Sequence, residues 1–264
     1  MKIILTGSKG FIGGALLKAL NKQDNTYVDV LDQNKDQWEN EQAIEQTVSH
    51  CDVIFHVGAI SDTTLQDCNE MLYWNYTLSK KLFDLARKYD KKVVYSSSAA
   101  TYGLGDGLPT NIYGWSKLIT ENYGIKVCDD FVSLRYFNVY GPGEDHKGKM
   151  ASVAYQAYKS QDLFKLFPKT SKRDFVYIED VINANIHAIN SPKGIYEVGT
   201  GEARTFEDVL DNMHIEYSYH SEDTIPNWYQ FYTKSDKKNW LPDWKPMYNL
   251  EKGINEYKKY FHSI

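Results

Sequence analysis

The stretch Lys2-Ile3-Ile4-Leu5-Thr6-Gly7-Ser8-Lys9-Gly10-Phe11-Ile12-Gly13 decides how the rest of the chain is read. A short apolar run suited to a buried strand passes without a break into a GxxGxxG run, which opens a helix with Leu16, Leu17 and Leu20 on its apolar face. Gly7 permits a tight turn, Gly10 lets the backbone approach a pyrophosphate, and Gly13 lets the helix lie close to the sheet. The helix N-terminus adds unpaired N–H groups and the positive end of a dipole. A lone glycine triplet also occurs in ordinary turns; between a strand and a helix, at the start of a βαβ unit, it points to a bound dinucleotide. The next strand, at 26–31, ends at Asp32. A carboxylate there accepts hydrogen bonds from adenosine ribose hydroxyls and favours NAD, whereas Lys35 can instead meet a 2′-phosphate and favour NADP. A solvated loop aspartate is the plainer alternative.

Working outward, further strands are expected at 52–57, 92–97 and 131–135, with helices between them; Leu78, Leu82, Leu85 and Ala86 mark the one before 92. This alternation predicts an α/β fold, a Rossmann-type doubly wound parallel sheet. From Asn138 the alternation breaks up around Gly141-Pro142-Gly143 and Ser191-Pro192-Lys193-Gly194. We therefore expect a dinucleotide-binding domain over 1–142, with a returning segment at about 174–200, and a smaller substrate-binding lobe made of 143–173 and 201–264. The lobe ends in an amphipathic helix carrying Leu250, Ile254, Tyr257 and Phe261.

Composition narrows the partners. The chain has 264 residues, a quarter of them charged, and a net charge of −5, so no single-signed field points to nucleic acid or an anionic membrane. Small molecules are the expected partners. Cys51, Cys68 and Cys128 show neither CxxC spacing nor companion histidines, which argues against a disulfide framework and against a metal site. There is no signal-peptide pattern and no apolar run long enough to span a bilayer, so a soluble, cytoplasmic protein is expected.

Chemistry enters at the fourth strand, which runs into Ser96-Ser97-Ser98-Ala99-Ala100-Thr101-Tyr102-Gly103 before a helix beginning near Tyr113-Gly114-Trp115-Ser116-Lys117. Residues four apart share a helix face, so Tyr113 and Lys117 point into one cleft. A phenol titrates near pH 10 and is a poor base at neutrality, but an ammonium and an oxidised nicotinamide beside it favour the phenolate. Tyr113 can then exchange a proton with a substrate hydroxyl that Ser98 holds in line. YxxxK alone is weak in a chain with 21 tyrosines; with the glycine run and the serine-rich strand end in order, chemistry becomes the better reading.

These motifs resemble the extended short-chain dehydrogenase/reductases. More narrowly, Ser97-Ser98-Ala99-Ala100-Thr101-Tyr102-Gly103, Arg135-Tyr136-Phe137-Asn138-Val139-Tyr140-Gly141-Pro142, His146-Lys147-Gly148-Lys149-Met150-Ala151-Ser152-Val153-Ala154 and Lys172-Arg173-Asp174-Phe175-Val176-Tyr177 resemble the ADP-L-glycero-D-manno-heptose 6-epimerases over nearly the whole chain. The resemblance implies inversion of the sixth carbon of a nucleotide-activated heptose by transient oxidation, with bound NADP, or NAD as the alternative, in a homo-oligomer. Tyr113 and Lys147 would be acid/base groups on opposite faces, alongside Ser98 and Lys117. Phe11, Ile12, Gly58, Ala59, Ser61 and Val139 would line the dinucleotide, Asn75 would brace that backbone, and Asn138, Phe167, Arg173 and Tyr229 would contact substrate. Relatives carry a third strand where this chain has 18 residues between Asp32 and Cys51; because 38–48 reads as helix, that strand is expected to be missing or vestigial. Gln156 stands where some relatives have histidine. A 4-epimerase, which needs no Lys147, and a non-catalytic dinucleotide sensor are the alternatives. Ala99, following Ser98 where a dehydratase would have an acid, counts against that activity.

Overall fold

In the computed structural model the described residues are 1–32, 34–105, 107–166, 171–221 and 230–263. The dinucleotide-binding half runs β1 (Lys2–Thr6), α1 (Phe11–Leu20), β2 (Tyr27–Leu31), α2 (Lys35–Glu39), α3 (Glu41–His50), β3 (Val53–His56), α4 (Cys68–Leu72), a π-turn (Tyr73–Thr77), α5 (Leu78–Lys88), β4 (Lys92–Ser98), a 3₁₀ turn (Ala99–Tyr102), α6 (Ile112–Val127) and β5 (Phe131–Tyr136). Then follow β6 (Asn138–Tyr140), a 3₁₀ turn (Asp145–Met150), α7 (Val153–Lys159), β7 (Phe164–Leu166), β8 (Lys172–Tyr177), α8 (Ile178–Ala188), β9 (Gly194–Val198), β10 (Ala203–Thr205), α9 (Phe206–Met213), β11 (Tyr217–Tyr219) and α10 (Leu250–Phe261).

Six strands form a parallel sheet in the order β2-β1-β3-β4-β5-β9. The order reverses beside β1, so the carboxyl ends of β1 and β3 flank a crevice at the switch point, where ligands of such sheets bind. Between Asp32 and Val53 the described residues form α2 and α3 and no strand, as the spacing predicted. The expected single helix over 38–48 is divided: Asn40 ends α2, and its side chain accepts from Ala43 N at 3.1 Å to cap α3.

The chain beyond β5 adds the smaller sheets β10-β8-β6 and β11-β7. It then returns: α8 packs against α1, and β9 completes the large sheet. The apolar residues of the two regions are continuous, with Leu5 and Val132 of the sheet in one cluster with Leu250, Ile254, Tyr257 and Phe261 of α10. Burying each such side chain is worth roughly 1.5–3 kcal/mol, so α10 anchors the lobe to the sheet rather than ornamenting it. Among the described residues no helix is long and apolar enough to cross a membrane, and no cluster of His, Cys, Asp or Glu could hold a metal ion.

Candidate active site

A cavity of about 1240 Å³ opens over the carboxyl ends of β1, β3 and β4. At its floor Gly7 adopts a left-handed backbone (φ +73°), and a Cβ there would stand 2.5 Å from Gly58 Cα. A Cβ on Gly13 would lie 2.0 Å from Gly7 O, so the start of α1 can touch the turn only because both are glycine. Gly10 caps α1 with no side-chain bond, no acidic residue occupies its first turn, and Gly7, Gly10, Phe11, Ile12 and Gly13 all line the cavity. An uncapped helix N-terminus on a cavity wall fits a pyrophosphate. Asp32 lines the same wall, its Oδ1 accepting from Ser8 N at 2.7 Å and Oδ2 from Ser8 Oγ at 2.8 Å. Trp38 Nε1 donates to Asp32 O at 2.9 Å, fixing the backbone that presents the carboxylate. Lys35 is exposed and is not part of the wall.

A buried polar chain supports this floor. Ser79 Oγ donates to Asn75 O at 2.7 Å, so its hydrogen is spent and His56 Nε2 must donate to it across 2.6 Å. Nδ1 of His56 then accepts from the Thr6 hydroxyl at 2.9 Å, and that oxygen accepts from Gly58 N at 2.8 Å. Burial, aided by the Lys117 charge, holds the imidazole down at about 3. The unfolded chain takes this proton near pH 6.5 and the folded chain only near 3, so the contribution is complete above 6.5 and is lost as pH falls between them. Between about pH 7.5 and pH 5, unfolding titrations should show the parent losing about 2 kcal/mol more than H56Q. Equal losses would remove His56 from the account.

Gly58, Ala59, Ile60 and Ser61 continue the wall beyond β3. Asn75 does not line it: its Oδ1 accepts from Ile60 N at 2.7 Å, and its Nδ2 donates to Ile60 O and Ser116 Oγ, both at 2.9 Å. Asn75 is thus the brace that the resemblance implied, and not itself a lining residue, because its amide is consumed in joining 58–61 to α6.

On α6, capped by Asn111 through Gly114 N at 2.8 Å, Tyr113 and Lys117 face the cavity one turn apart. Lys117 Nζ donates to Ser96 O at 2.7 Å and lies 6.0 Å from the Tyr113 ring centroid. Burial brings its pKa down to about 7, with Glu121 one turn on working against that fall. Burial also raises the Tyr113 phenol, while the Ser98 hydroxyl, hydrogen-bonded to it, pulls the other way. Tyr113 thus needs a donor and a cation to ionise, and Ser98 and Lys117 are both in place. Asn138 and Val139 lie on the wall beyond. Ser97, which sequence reasoning passed over, also lines it, and its buried Oγ has no partner among the described residues. An unpaired buried hydroxyl on a cavity wall is a place for a ligand atom. Only its position at the end of β4 hinted at this.

Beyond β6, the turn at Asp145–Met150 brings His146, Lys147 and Lys149 to the same cavity. Lys147 Nζ sits 5.1 Å from the Phe11 ring centroid, and burial lowers its pKa while Glu144 raises it. Among the lining residues Lys9, Lys117, Lys147, Lys149 and Lys165 face a single carboxylate, Asp32, so the cavity is cationic in an acidic chain and suited to polyanionic ligands. Gln156, also on the wall, donates to Ala151 O at 2.6 Å and steadies the lysine turn.

Arg173 is placed differently from the expectation. It is buried at 6% exposure, donates to Lys172 O at 3.1 Å and to Gln230 O, and lies over the Phe206 ring. It is Phe206, with Phe175, that reaches the wall, because the guanidinium is engaged by backbone carbonyls. Arg173, expected to contact substrate, is therefore not among the residues that line the cavity. Phe167 and Tyr229 lie outside the described residues.

Comparison with known proteins agrees with this geometry. The model of Epimerase, the NAD dependent epimerase/dehydratase family, matches residues 3–199. The crystal structure of ADP-L-glycero-D-manno-heptose-6-epimerase from Helicobacter pylori is 30% identical, with a TM-score of 0.85 over 100% of this chain and 96% of that one. UDP-N-acetylglucosamine 4-epimerase from Methanobrevibacter ruminantium is 24% identical, with a TM-score of 0.87 over 99% and 98%. UDP-glucose 4-epimerase from Thermotoga maritima is 23% identical, with a TM-score of 0.84 over 100% and 99%. The last two show the shared fold.

Proposed function

Because the chain belongs to the NAD dependent epimerase/dehydratase family, we propose that it inverts a secondary alcohol of a nucleotide-activated sugar, the sixth carbon of an ADP-heptose, by transient oxidation. The observation that carries this reading is that Tyr113 and Lys147 reach one cationic cavity from different elements, α6 and the turn at Asp145–Met150. Inversion through a ketone presents the oxygen in two orientations, and an acid/base group for each is what the chemistry requires. A 4-epimerase has no use for the second.

The bound oxidised nicotinamide would supply the hydride acceptor and donor. The chain's own residues do the rest. Tyr113, kept ionisable by the Lys117 ammonium and the Ser98 hydroxyl, takes the alcohol proton in one orientation, and Lys147 serves the oxygen in the other. The start of α1 holds the dinucleotide pyrophosphate, and the lysines of the wall hold the sugar nucleotide; the cavity exceeds the usual size for one small ligand and suits two. Of the two cofactors the resemblance allowed, NAD is supported by the carboxylate of Asp32 on the wall and by the exposure of Lys35 away from it. The 30% identity to the Helicobacter pylori enzyme and the His146-Lys147-Gly148 run support the heptose.

The test is direct. Dinucleotide released gently from the purified protein should have the mass of NAD, and incubation with either C6 epimer of an ADP-heptose should yield the same mixture. Turnover of a UDP-hexose with no change in either heptose would hand the protein to the 4-epimerases.

A further inference from the structure

Glu144 is fully buried and plays no part in the steps above. Its Oε1 accepts from Gly141 N at 3.3 Å, Ser152 Oγ at 2.7 Å and Tyr257 Oη at 3.0 Å, and its Oε2 accepts from Ser152 N at 2.5 Å. One carboxylate therefore closes both ends of the loop 141–152 and ties it to α10. Between those ends lie His146, Lys147 and Lys149, all on the cavity wall. The loop has little shape of its own: Gly141, Gly143 and Gly148 have φ of +141°, +98° and +53°, and Gly148 directly follows Lys147 with open space around its Cα. Such glycines give the backbone freedom, so the carboxylate's bonds select among the conformations it could take.

We propose that Glu144 is the positioning residue for Lys147, bracing the loop against α10 so that the lysine amine is held at the face of the sugar it serves. The proposal rests on the reading of Lys147 as an acid/base group. A second effect follows from charge. Burial drives the Lys147 amine toward neutrality, and Glu144 is the charge that opposes this. The other polar and titratable groups about the pair are Asp145, His146 and Lys149 on the same loop, Tyr155 of α7, and Tyr257 and Tyr260 of α10, with the Phe11 ring of α1 beneath the amine. Tyr257 is itself held well above the ordinary phenol range by burial and by Glu144, so it donates its proton to the carboxylate throughout the working range.

The substitution E144Q keeps the size of the side chain and one accepting oxygen, which can still meet Gly141 N, Ser152 Oγ and Tyr257 Oη, while removing the charge and the acceptor for Ser152 N. With that charge gone the Lys147 pKa falls further, and the alkaline limb of the rate profile should move down by about one pH unit. The amine can be followed without reference to turnover, using the full chain with its dinucleotide bound. Acetic anhydride labelling across a pH series, read by mass spectrometry at Lys147 relative to the surface residue Lys18, reports the amine's own titration. A downward shift in both labelling and rate supports the proposal. A shift in labelling with no change in rate also supports positioning by Glu144, and shows instead that Lys147 is not the acid/base group. An unmoved Lys147 titration overturns the proposal. Should E144Q fail to fold, Y257F removes one donor from the carboxylate and leaves its charge; faster Lys147 labelling relative to Lys18 is then expected, and an unchanged ratio counts against the brace.

Discussion

Replacing Tyr113 with phenylalanine is expected to lower kcat by about 10³-fold, within the range a single acid/base group contributes, while the dinucleotide remains bound. The expectation follows from the environment of the phenol. Burial disfavours its ionised form, the hydrogen bond with Ser98 works the other way, and the Lys117 amine stands 6.0 Å from the ring centroid. Phenylalanine keeps the ring and the packing of α6 and loses the one atom that exchanges a proton. Stability should change by only about 1 kcal/mol, the usual net worth of a single hydrogen bond. Steady-state kinetics, with the retained dinucleotide measured on the same sample, separates the two effects. A variant retaining a tenth of the parent kcat would show that the proton leaves the alcohol by another route. Lys117 should behave differently, since its ammonium also donates to Ser96 O, and its removal disturbs the end of β4 as well as the phenol.

What could be read in the sequence was what depends on neighbours along the chain. The glycine run, the strand before it and the helix after it lie within twenty residues, and the structure places β1 at the limits the sequence marked. Tyr113 and Lys117 are one helical turn apart, so their common direction follows from the helix alone. The absent third strand followed from counting residues between Asp32 and Cys51. What escaped depends on partners far along the chain. Arg173 on β8 looks like an anion clamp, but its guanidinium donates to the carbonyl of Gln230, 57 residues later, and does not line the cavity. Glu144 sits in a Gly-rich loop, where an acidic residue ordinarily faces water, and its burial depends on donors from Gly141, Ser152 and Tyr257, the last 113 residues on. Side chains of this kind are chosen by tertiary contacts, and periodicity carries no trace of them.

Replacing Lys147 with methionine gives the outcome that divides the two nearest functional readings. Methionine matches the length and apolar stem of lysine, so the packing over Phe11 can survive while the amine is lost. If Lys147 serves the oxygen on one face, interconversion of the two heptose epimers should fall by about 10²-fold to 10³-fold. Loss should fall unequally on the two half-reactions, because Tyr113 still serves its own orientation. Rapid mixing of the variant with each epimer in turn, with the absorbance of reduced nicotinamide as the signal, should show one epimer still reducing the cofactor near the parent rate and the other slowed by most of the steady-state loss. The environment of the amine gives this asymmetry its basis: burial brings Lys147 below the ordinary lysine range, which makes its neutral form easier to reach than that of a surface lysine, while Glu144 opposes the fall. An enzyme with a single acid/base group would be indifferent to this change. Equal rates for both epimers and undiminished interconversion in K147M would leave Tyr113 as the sole proton-transfer group, and the cavity would then fit a 4-epimerase, which has no need of Lys147.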